Sequence, residues 1–429
     1  MAAVAFGAEA AHWTTPGSTA AARLAGAIGA GRAPAVPVSL RGPCFALVGA
    51  RLLDGIGGDP LEGMTIAVEH GRIVAVGVDG ATPLPRSVGR REVMDVAGAT
   101  LTPGLIDAHV HLAFARDPTA LARGGVTAAR DLGWPRGRLA PLISDAWRAG
   151  TLVTWAGRML TAPGGYPTNA GWAPIGTARE VRGIDDAVRA VDEQMRGGAG
   201  TIKVALDDRV GPILSSEVLD AIVERADEWG RDVTAHVGSE VAFDLAMRCR
   251  VAELAHVPFA SAAITKQAIE AAATDGVVVV PTLRCREHTS GREAEAIAFL
   301  RAFVAAGGAV AYGTDLGNAH TTPGADGREL ALMCAAGITP GDVVVAATSG
   351  AAARLGGGVE HLVGRIEPGR RADVLVLQPG DDPLVDVSAL TRPAVVIAGG
   401  VVRATRLGPR RSAPLIRVPQ LRRRRGRPT

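Results

Sequence analysis

The sequence predicts a parallel α/β fold, a TIM (β/α)8 barrel, carrying a small β-sandwich domain built from the chain on either side of it. Three observations support this. Between about residues 101 and 359, eight short apolar segments alternate with amphipathic stretches of helical period. Text of another kind, strand after strand broken by Gly and Pro turns, fills residues 43–100 and returns at 360–406. A barrel takes ~250 residues, and 429 residues leave room for a smaller partner. A doubly wound open sheet is the alternative, but no Gly-x-Gly-x-x-Gly turn follows a first strand.

Taken in order, residues 1–42 are rich in Ala, Gly and Pro and read as a disordered extension without a signal peptide's basic start. Strand text follows at 46–53, then a hairpin at 64–69 and 72–77 around His70-Gly71, where His70 reads as a turn residue rather than a ligand. A further strand lies near 92–96, and Thr102-Pro103-Gly104 is turn chemistry. The eight barrel strands are expected at 105–112, 126–132, 152–160, 201–206, 232–237, 252–257, 277–283 and 309–316. Helices are expected at 185–197, 215–230 (Ser216 as its cap), 265–275, 292–306 and 340–355. Strand text resumes at 364–367, 372–377, 394–398 and 401–402. Residues 407–429 read as a basic, solvated, disordered tail.

Composition narrows the function. Ten arginines and no acid lie within 403–429; without them the net charge of +3 becomes −7, so the body is mildly acidic. With 3% aromatic residues as well, nothing argues for a nucleic-acid partner. No apolar run approaches the ~18 residues that cross a bilayer. Cys44, Cys249, Cys285 and Cys334 are widely separated, which fits reduced thiols in a cytoplasmic protein, and Cys285 reads as a structural thiol. Of 46 basic residues only Lys203 and Lys266 are lysine, so Lys203, inside the apolar run 201–206, suggests a task that arginine cannot perform.

The chemistry begins at His109-Val110-His111. On a strand, residues i and i+2 share a face, so both imidazoles reach one point where the first barrel strand ends. Two neutral imidazoles converging suit a divalent metal, although a His-x-His pair also arises by chance on a polar strand face. In a TIM barrel the chemistry sits at the C-terminal strand ends. The expected strands place Lys203, His236, His256 and Asp315 at equivalent positions on one rim, contributed by strands four, five, six and eight. Singly, each has a structural reading; together they form a candidate metal site for a small-molecule substrate.

This set resembles that of the amidohydrolase superfamily of metal-dependent hydrolases, most of all its imidazolonepropionase-like and prolidase-like members. The likeness spans residues 45–405 and rests on Pro-Gly-Leu-Ile-Asp-Ala-His-Val-His (103–111), Ile-Lys-Val (202–204), the two later histidines, Gly-Thr-Asp (313–315) and Gly-x-Ile-x-Pro-Gly-Arg-x-Ala-Asp-Val (364–374). The resemblance implies one or two divalent ions, usually zinc. His109, His111 and Asp315 would complete one site, His236 and His256 the other, with a carboxylated Lys203 bridging them. It implies hydrolysis of a C–N bond in an amide, cyclic amide or dipeptide, with Asp315 as general base. A decarboxylase, isomerase or lactone-type hydrolase on the same residues, or a non-catalytic metal-binding protein, are the other readings. A homo-oligomer stays open.

Two departures bear on substrate. Such relatives often carry His-x-His-Gly after strand five and Gly-Gly-His after strand three; this chain has His236-Val237-Gly238 and Gly164-Gly165-Tyr166. The segment 162–177, with Tyr166 and Asn169, reads as a lid or pocket wall. Arg284, Asn318 and His320 are further candidates for holding a substrate carboxylate or carbonyl. Asp107, on the face of His109, is expected either to orient an imidazole or to cap a turn.

Overall fold

The computed structural model describes residues 43–89, 92–115, 117–259, 261–286, 292–318 and 320–406. The expected extension 1–42 and the Arg-rich tail 407–429 lie outside the described residues. Among those described, no helix is long and apolar enough to cross a membrane.

The first strands are β1 (Phe45–Leu52), β2 (Leu61–Glu69), β3 (Arg72–Val78), β4 (Val93–Asp95) and β5 (Thr100–Pro103). Next come β6 (Leu105–Val110), β7 (Val126–Asp131), β8 (Leu152–Trp155), β9 (Met159–Thr161) and β10 (Ala178–Glu180). Then follow β11 (Ile202–Leu206), β12 (Val233–Val237), β13 (Glu253–Leu254), β14 (Val278–Val279) and β15 (Ala309–Val310). The chain ends on β16 (Val374–Val376), β17 (Val395–Ala398) and β18 (Val401–Thr405).

Strands from both flanks share one sheet, in the order β18-β17-β16-β5-β1-β2-β3 with β4 beside β1. The join is the β5–β16 pair, Val376 opposite Leu101 and Val374 opposite Pro103. Each half thereby covers an edge that would otherwise template aggregation. Leu47, Ile66, Val68, Ile73, Leu101 and Val374 form the apolar cluster under this sheet. Thr102-Pro103 is therefore strand rather than turn, and Gly104 makes the crossing into β6, where a Cβ would collide with Thr127.

The remaining strands run parallel in two sheets, β6-β7-β8 and β10-β9-β11-β12-β13-β14-β15. β6, β7, β8, β11 and β12 are buried at every residue, as strands covered on both faces must be. Regular pairing stops at two places. The expected strand 152–160 breaks at Gly157 (φ +79°), so β8 pairs with β7 whereas β9 pairs with β11. The expected strand 309–316 keeps its ladder only over Ala309–Val310, and further on Asp315 takes a left-handed φ of +54°. Main-chain hydrogen bonds cross the second gap: the Ala108 N–H donates to the Tyr312 carbonyl (3.0 Å), Asp315 to His109 (2.9 Å) and His111 to Leu316 (2.7 Å).

Helices Ile184–Arg196, Ser216–Glu228, Lys266–Thr274 and Arg292–Ala305 lie where their periodicity places them. The cap of the second is Ser215, whose hydroxyl accepts from the Val218 N–H, not Ser216. The expected helix 340–355 is α-helical only over Pro340–Val345 and widens into a π turn at Ala346–Gly350. Residues 364–367 form no strand; the Ile366 N–H instead donates to the Asp54 carbonyl.

Candidate metal centre

Four imidazoles meet ring to ring at the C-terminal ends of the parallel strands. Centroid separations are 5.3 Å for His111–His109, 4.6 Å for His109–His256 and 4.8 Å for His256–His236. Asp315 joins them, its Oδ1 lying 3.3 Å from His109 Nε2 and 3.2 Å from His111 Nε2. Ligand atoms of His109, His256 and Asp315 all lie within 4.8 Å of one another, and all three side chains are buried.

The chain turns the rings deliberately. His109 Nδ1 is 2.7 Å from the Ala255 carbonyl, which makes Nδ1 the protonated nitrogen and leaves the Nε2 lone pair for the centre. His256 Nδ1 lies 2.7 Å from the Thr282 hydroxyl. His236 Nε2 instead lies 3.3 Å from Asp207 Oδ2, and its ring is stacked between Tyr166 (4.7 Å) and Phe259 (5.1 Å). Arg209 grips the Asp207 carboxylate through Nε (2.9 Å) and Nη2 (2.7 Å) and rests its guanidinium over Phe259.

Lys203 is 1% exposed, and its Nζ is buried without a hydrogen-bond partner among the described residues. His111 Nδ1 is likewise buried without one, while Asp315 Oδ1 faces the Nε2 atoms of His109 and His111. Orphaned polar atoms are costly in a protein interior. An unpaired buried amine beside converging imidazoles and a carboxylate fits a donor set for a cation better than a packed core.

Burial also sets the protonation states. It drives His109 and His256 well below the ordinary imidazole value and lowers His236 against the pull of Asp207, so all three are neutral at pH 7. Burial brings the Lys203 ammonium down to about 7. Burial would raise the Asp315 carboxyl, but the surrounding imidazoles outweigh it and hold it well below the usual carboxylate range. At His111 the Asp315 carboxylate overcomes desolvation and raises the imidazole.

The structure thus brings His109, His111, His236, His256 and Asp315 together, with Lys203 buried close enough for its charge to bear on all four imidazoles. The weaker candidates divide. Tyr166 stacks on His236; its phenol is pushed up by burial and by Asp315 and Asp207, so it keeps its proton. Asn169 is turned away, its amide donating to the Gly164 carbonyl of its own loop (2.9 Å). Arg284 is not available for a substrate carboxylate through Nη1, which Asp326 holds at 2.7 Å. The Asn318 amide donates to the Asp315 carbonyl (3.1 Å) and so shapes the turn that carries the carboxylate. His320 is exposed in the following turn, with a φ of +73°. Asp107 caps rather than orients a ring: it accepts the His109 N–H (3.1 Å), the Thr314 N–H (3.0 Å) and the Thr314 hydroxyl (2.5 Å), tying the first strand to the last.

Some of the site escaped sequence reasoning. Cys285 Sγ lies 3.3 Å from Asp315 Oδ2, so this thiol is a neighbour of the centre. Asp207 sits one residue past β11, as His111 sits one residue past β6, and that signal could have found it. Thr282 and Phe259 lie in loops with no period to announce them.

Several known proteins resemble this chain over most of its length. Ochratoxinase of Aspergillus niger is 27% identical, aligned over 85% of this chain and 87% of its own. Imidazolonepropionase of Streptomyces coelicolor is also 27% identical, over 79% of this chain and 90% of its own. A crystallised Xaa-Pro dipeptidase superposes with a TM-score of 0.69 over 84% of this chain and 99% of that one; at 20% identity that likeness is one of fold. The structure of a putative prolidase from Bifidobacterium longum is 27% identical, with a TM-score of 0.69 over 86% of this chain and 96% of that one. The sequence profile of the amidohydrolase family matches residues 100–403, a stretch that contains all the rim residues described above, and the chain belongs to that family, in its imidazolonepropionase-like and prolidase-like branch.

Proposed function

We propose that this chain is a metal-dependent hydrolase of a small-molecule C–N bond, in an amide, cyclic amide or dipeptide. The single observation that carries the reading is Lys203, a buried amine without a partner, brought down to about 7 by burial and set among four imidazoles and a carboxylate. The parallel sheets are then two arcs of one eight-stranded barrel, β6, β7, β8/β9 and β11 to β15, and the sheet shared by the flanks is a separate small domain. The names of the relatives support acyl-nitrogen chemistry: an imidazolonepropionase and an enamidase are among them.

His109, His111 and Asp315 would hold one divalent ion, probed first as zinc, and His236 and His256 a second. Lys203 would bridge them as a carbamate: its neutral amine attacks CO2, an N–C bond forms, and the displaced proton leaves to solvent. When bound, such ions lower the pKa of water towards ~7 and polarise a carbonyl. The chain's own residues do the rest. Asp315, anionic and at the edge of the site, accepts the proton of the attacking water and delivers it to the departing nitrogen. Tyr166, protonated and stacked on His236, donates a hydrogen bond to the carbonyl oxygen as negative charge develops there. The Asp207–Arg209 clamp keeps the His236 ring in place.

The test is elemental analysis of the purified wild type beside Lys203→Ala, with a screen of acyl-nitrogen substrates. At least two divalent ions per chain in the wild type, with the content falling sharply in the variant together with turnover, is the expected result. Full metal content in Lys203→Ala would remove the bridge from the scheme. Metal without turnover on any amide would remove the C–N assignment.

A further inference from the structure

A second group of metal-ligating side chains meets at the hairpin of the flanking sheet, away from the rim. Cys44 immediately precedes β1, one step beyond the Phe45–Val68 pair, and so stands opposite Glu69 at the end of β2. Residues opposed in this way place their Cβ atoms ~4.5–5.5 Å apart on one face. His70 follows directly, and ligand atoms of Cys44, Glu69 and His70 all lie within 4.8 Å of one another.

Two independent features of His70 point to a ligand. Its Nδ1 is buried without a hydrogen-bond partner among the described residues. It also occupies a backbone position that does not suit it: His70 and Gly71 form the two-residue turn between β2 and β3 with φ of +52° and +81°. That is the geometry in which Asn-Gly is favoured, and a histidine enters it at a cost. No hydrogen bond of Nδ1 offsets that cost.

We propose that Cys44, Glu69 and His70 form a site for a divalent cation of the zinc type, separate from the rim centre. Thiolate, carboxylate and imidazole are zinc's ligand types, and two anions with one neutral ring balance a 2+ charge. Bonds of ~2.0–2.3 Å put tetrahedral ligand atoms within ~4 Å of one another, so closure from within 4.8 Å asks for side-chain rotation rather than backbone movement. The Ser87 hydroxyl already donates to Glu69 Oε1, which leaves Oε2 for the ion. On binding, the Cys44 S–H bond breaks, its proton passes to solvent and the sulfur bonds the metal. The ion staples the start of β1 to the hairpin tip.

The experiment strips the full-length protein with a chelator and titrates it with Co2+. A thiolate-to-cobalt charge-transfer band should grow with one equivalent in wild type and vanish in Cys44→Ser. It should survive in Cys285→Ser, the control for the thiol beside Asp315. His70→Asn keeps the fold, because Asn suits the left-handed turn; its thermal midpoint in chelator should equal or exceed wild type. Its cobalt affinity at this site should nonetheless fall at least tenfold, and it should purify with one divalent ion fewer than wild type while its hydrolytic turnover persists. A band absent from wild type, a band retained in Cys44→Ser, or equal metal content in wild type and His70→Asn would each overturn the site. None of these outcomes depends on the rim residues.

Discussion

At the scale of single residues, the burial of Lys203 is the feature from which most follows. A guanidinium cannot lose its proton in a protein, whereas an amine lowered to about 7 is half neutral at neutral pH. Carboxylation needs that neutral form. Recovery of activity by metal-free protein, given Zn2+ and a dissolved CO2 concentration held constant across the series, should therefore accelerate as pH rises from 6 to 8, with its midpoint near 7. A recovery rate flat across this range would argue against the carbamate. Lys203→Arg keeps the positive charge and should still lose turnover by at least ~10²-fold, since carbamate formation is closed to it. Asp315→Asn tests a different step. It preserves shape but removes the proton acceptor, so kcat should fall by ~10²–10⁴-fold, measured on whichever amide the screen returns. These residues were legible in the sequence because metal chemistry demands particular side chains at strand ends. Their partners were not. Cys285 reaches Asp315, and Asp207 with Arg209 braces His236, through loops whose direction no periodicity encodes. Arg284 read as an available cation because its acceptor, Asp326, lies 42 residues further along the chain.

At the scale of elements, the helix Gly327–Ala335 shows how a support is built behind the site. Asp326 caps it, accepting the N–H groups of Arg328 (3.0 Å) and Glu329 (3.1 Å). Glu329, fully buried, accepts the N–H groups of Leu283 (2.9 Å) and Arg284 (2.8 Å) and so fixes the loop after β14 that carries Thr282 and Cys285. Burial outweighs those hydrogen bonds and pushes the Glu329 carboxyl up to about 8 from an ordinary 4.5. Between those values the unfolded chain has released this proton while the folded one retains it. The stability from this group is thus fully present below about 4.5 and is lost as pH rises through about 8. Urea midpoints of the wild type should carry a downward component from pH 5 to 8, on the order of a few kcal/mol, that Glu329→Gln removes. An unchanged slope in Glu329→Gln would show that the carboxylate is already ionised in the fold. Helix positions were readable here from caps and period, whereas the strands were read too long at 152–160 and 309–316. The ladder of β8 ends just before Gly157, which adopts positive φ, and nothing in the apolar run marks where β15 stops at Val310.

At the scale of the whole molecule, the flanking sheet and the parallel strands are fastened by a buried ion pair. Arg371 Nη1 donates to Asp373 Oδ2 (2.6 Å) and to the carbonyl of Thr127 in β7 (3.2 Å), while Nη2 donates to the Gly150 carbonyl (2.6 Å). Asp373 Oδ1 accepts the Gly399 N–H (2.7 Å), and the guanidinium lies 5.8 Å from the centre of the Trp147 ring. The stretch 364–374 was conspicuous in the sequence as a pattern, yet its physical work is visible only once the two flanks are seen in one sheet. Burial raises the Asp373 carboxyl, and the Arg371 guanidinium is the first influence that opposes it. Removing that cation alone leaves an unpaired buried acid. Arg371→Met should therefore cost about 3–5 kcal/mol in urea unfolding. Asp373→Asn should cost less, because the guanidinium keeps both carbonyl acceptors. The double variant should be more stable than the sum of the two losses predicts, by more than ~1 kcal/mol, since residues in one polar network do not act independently. Strict additivity would mean that the two parts are held by apolar packing alone, and that the pair contributes alignment without stability.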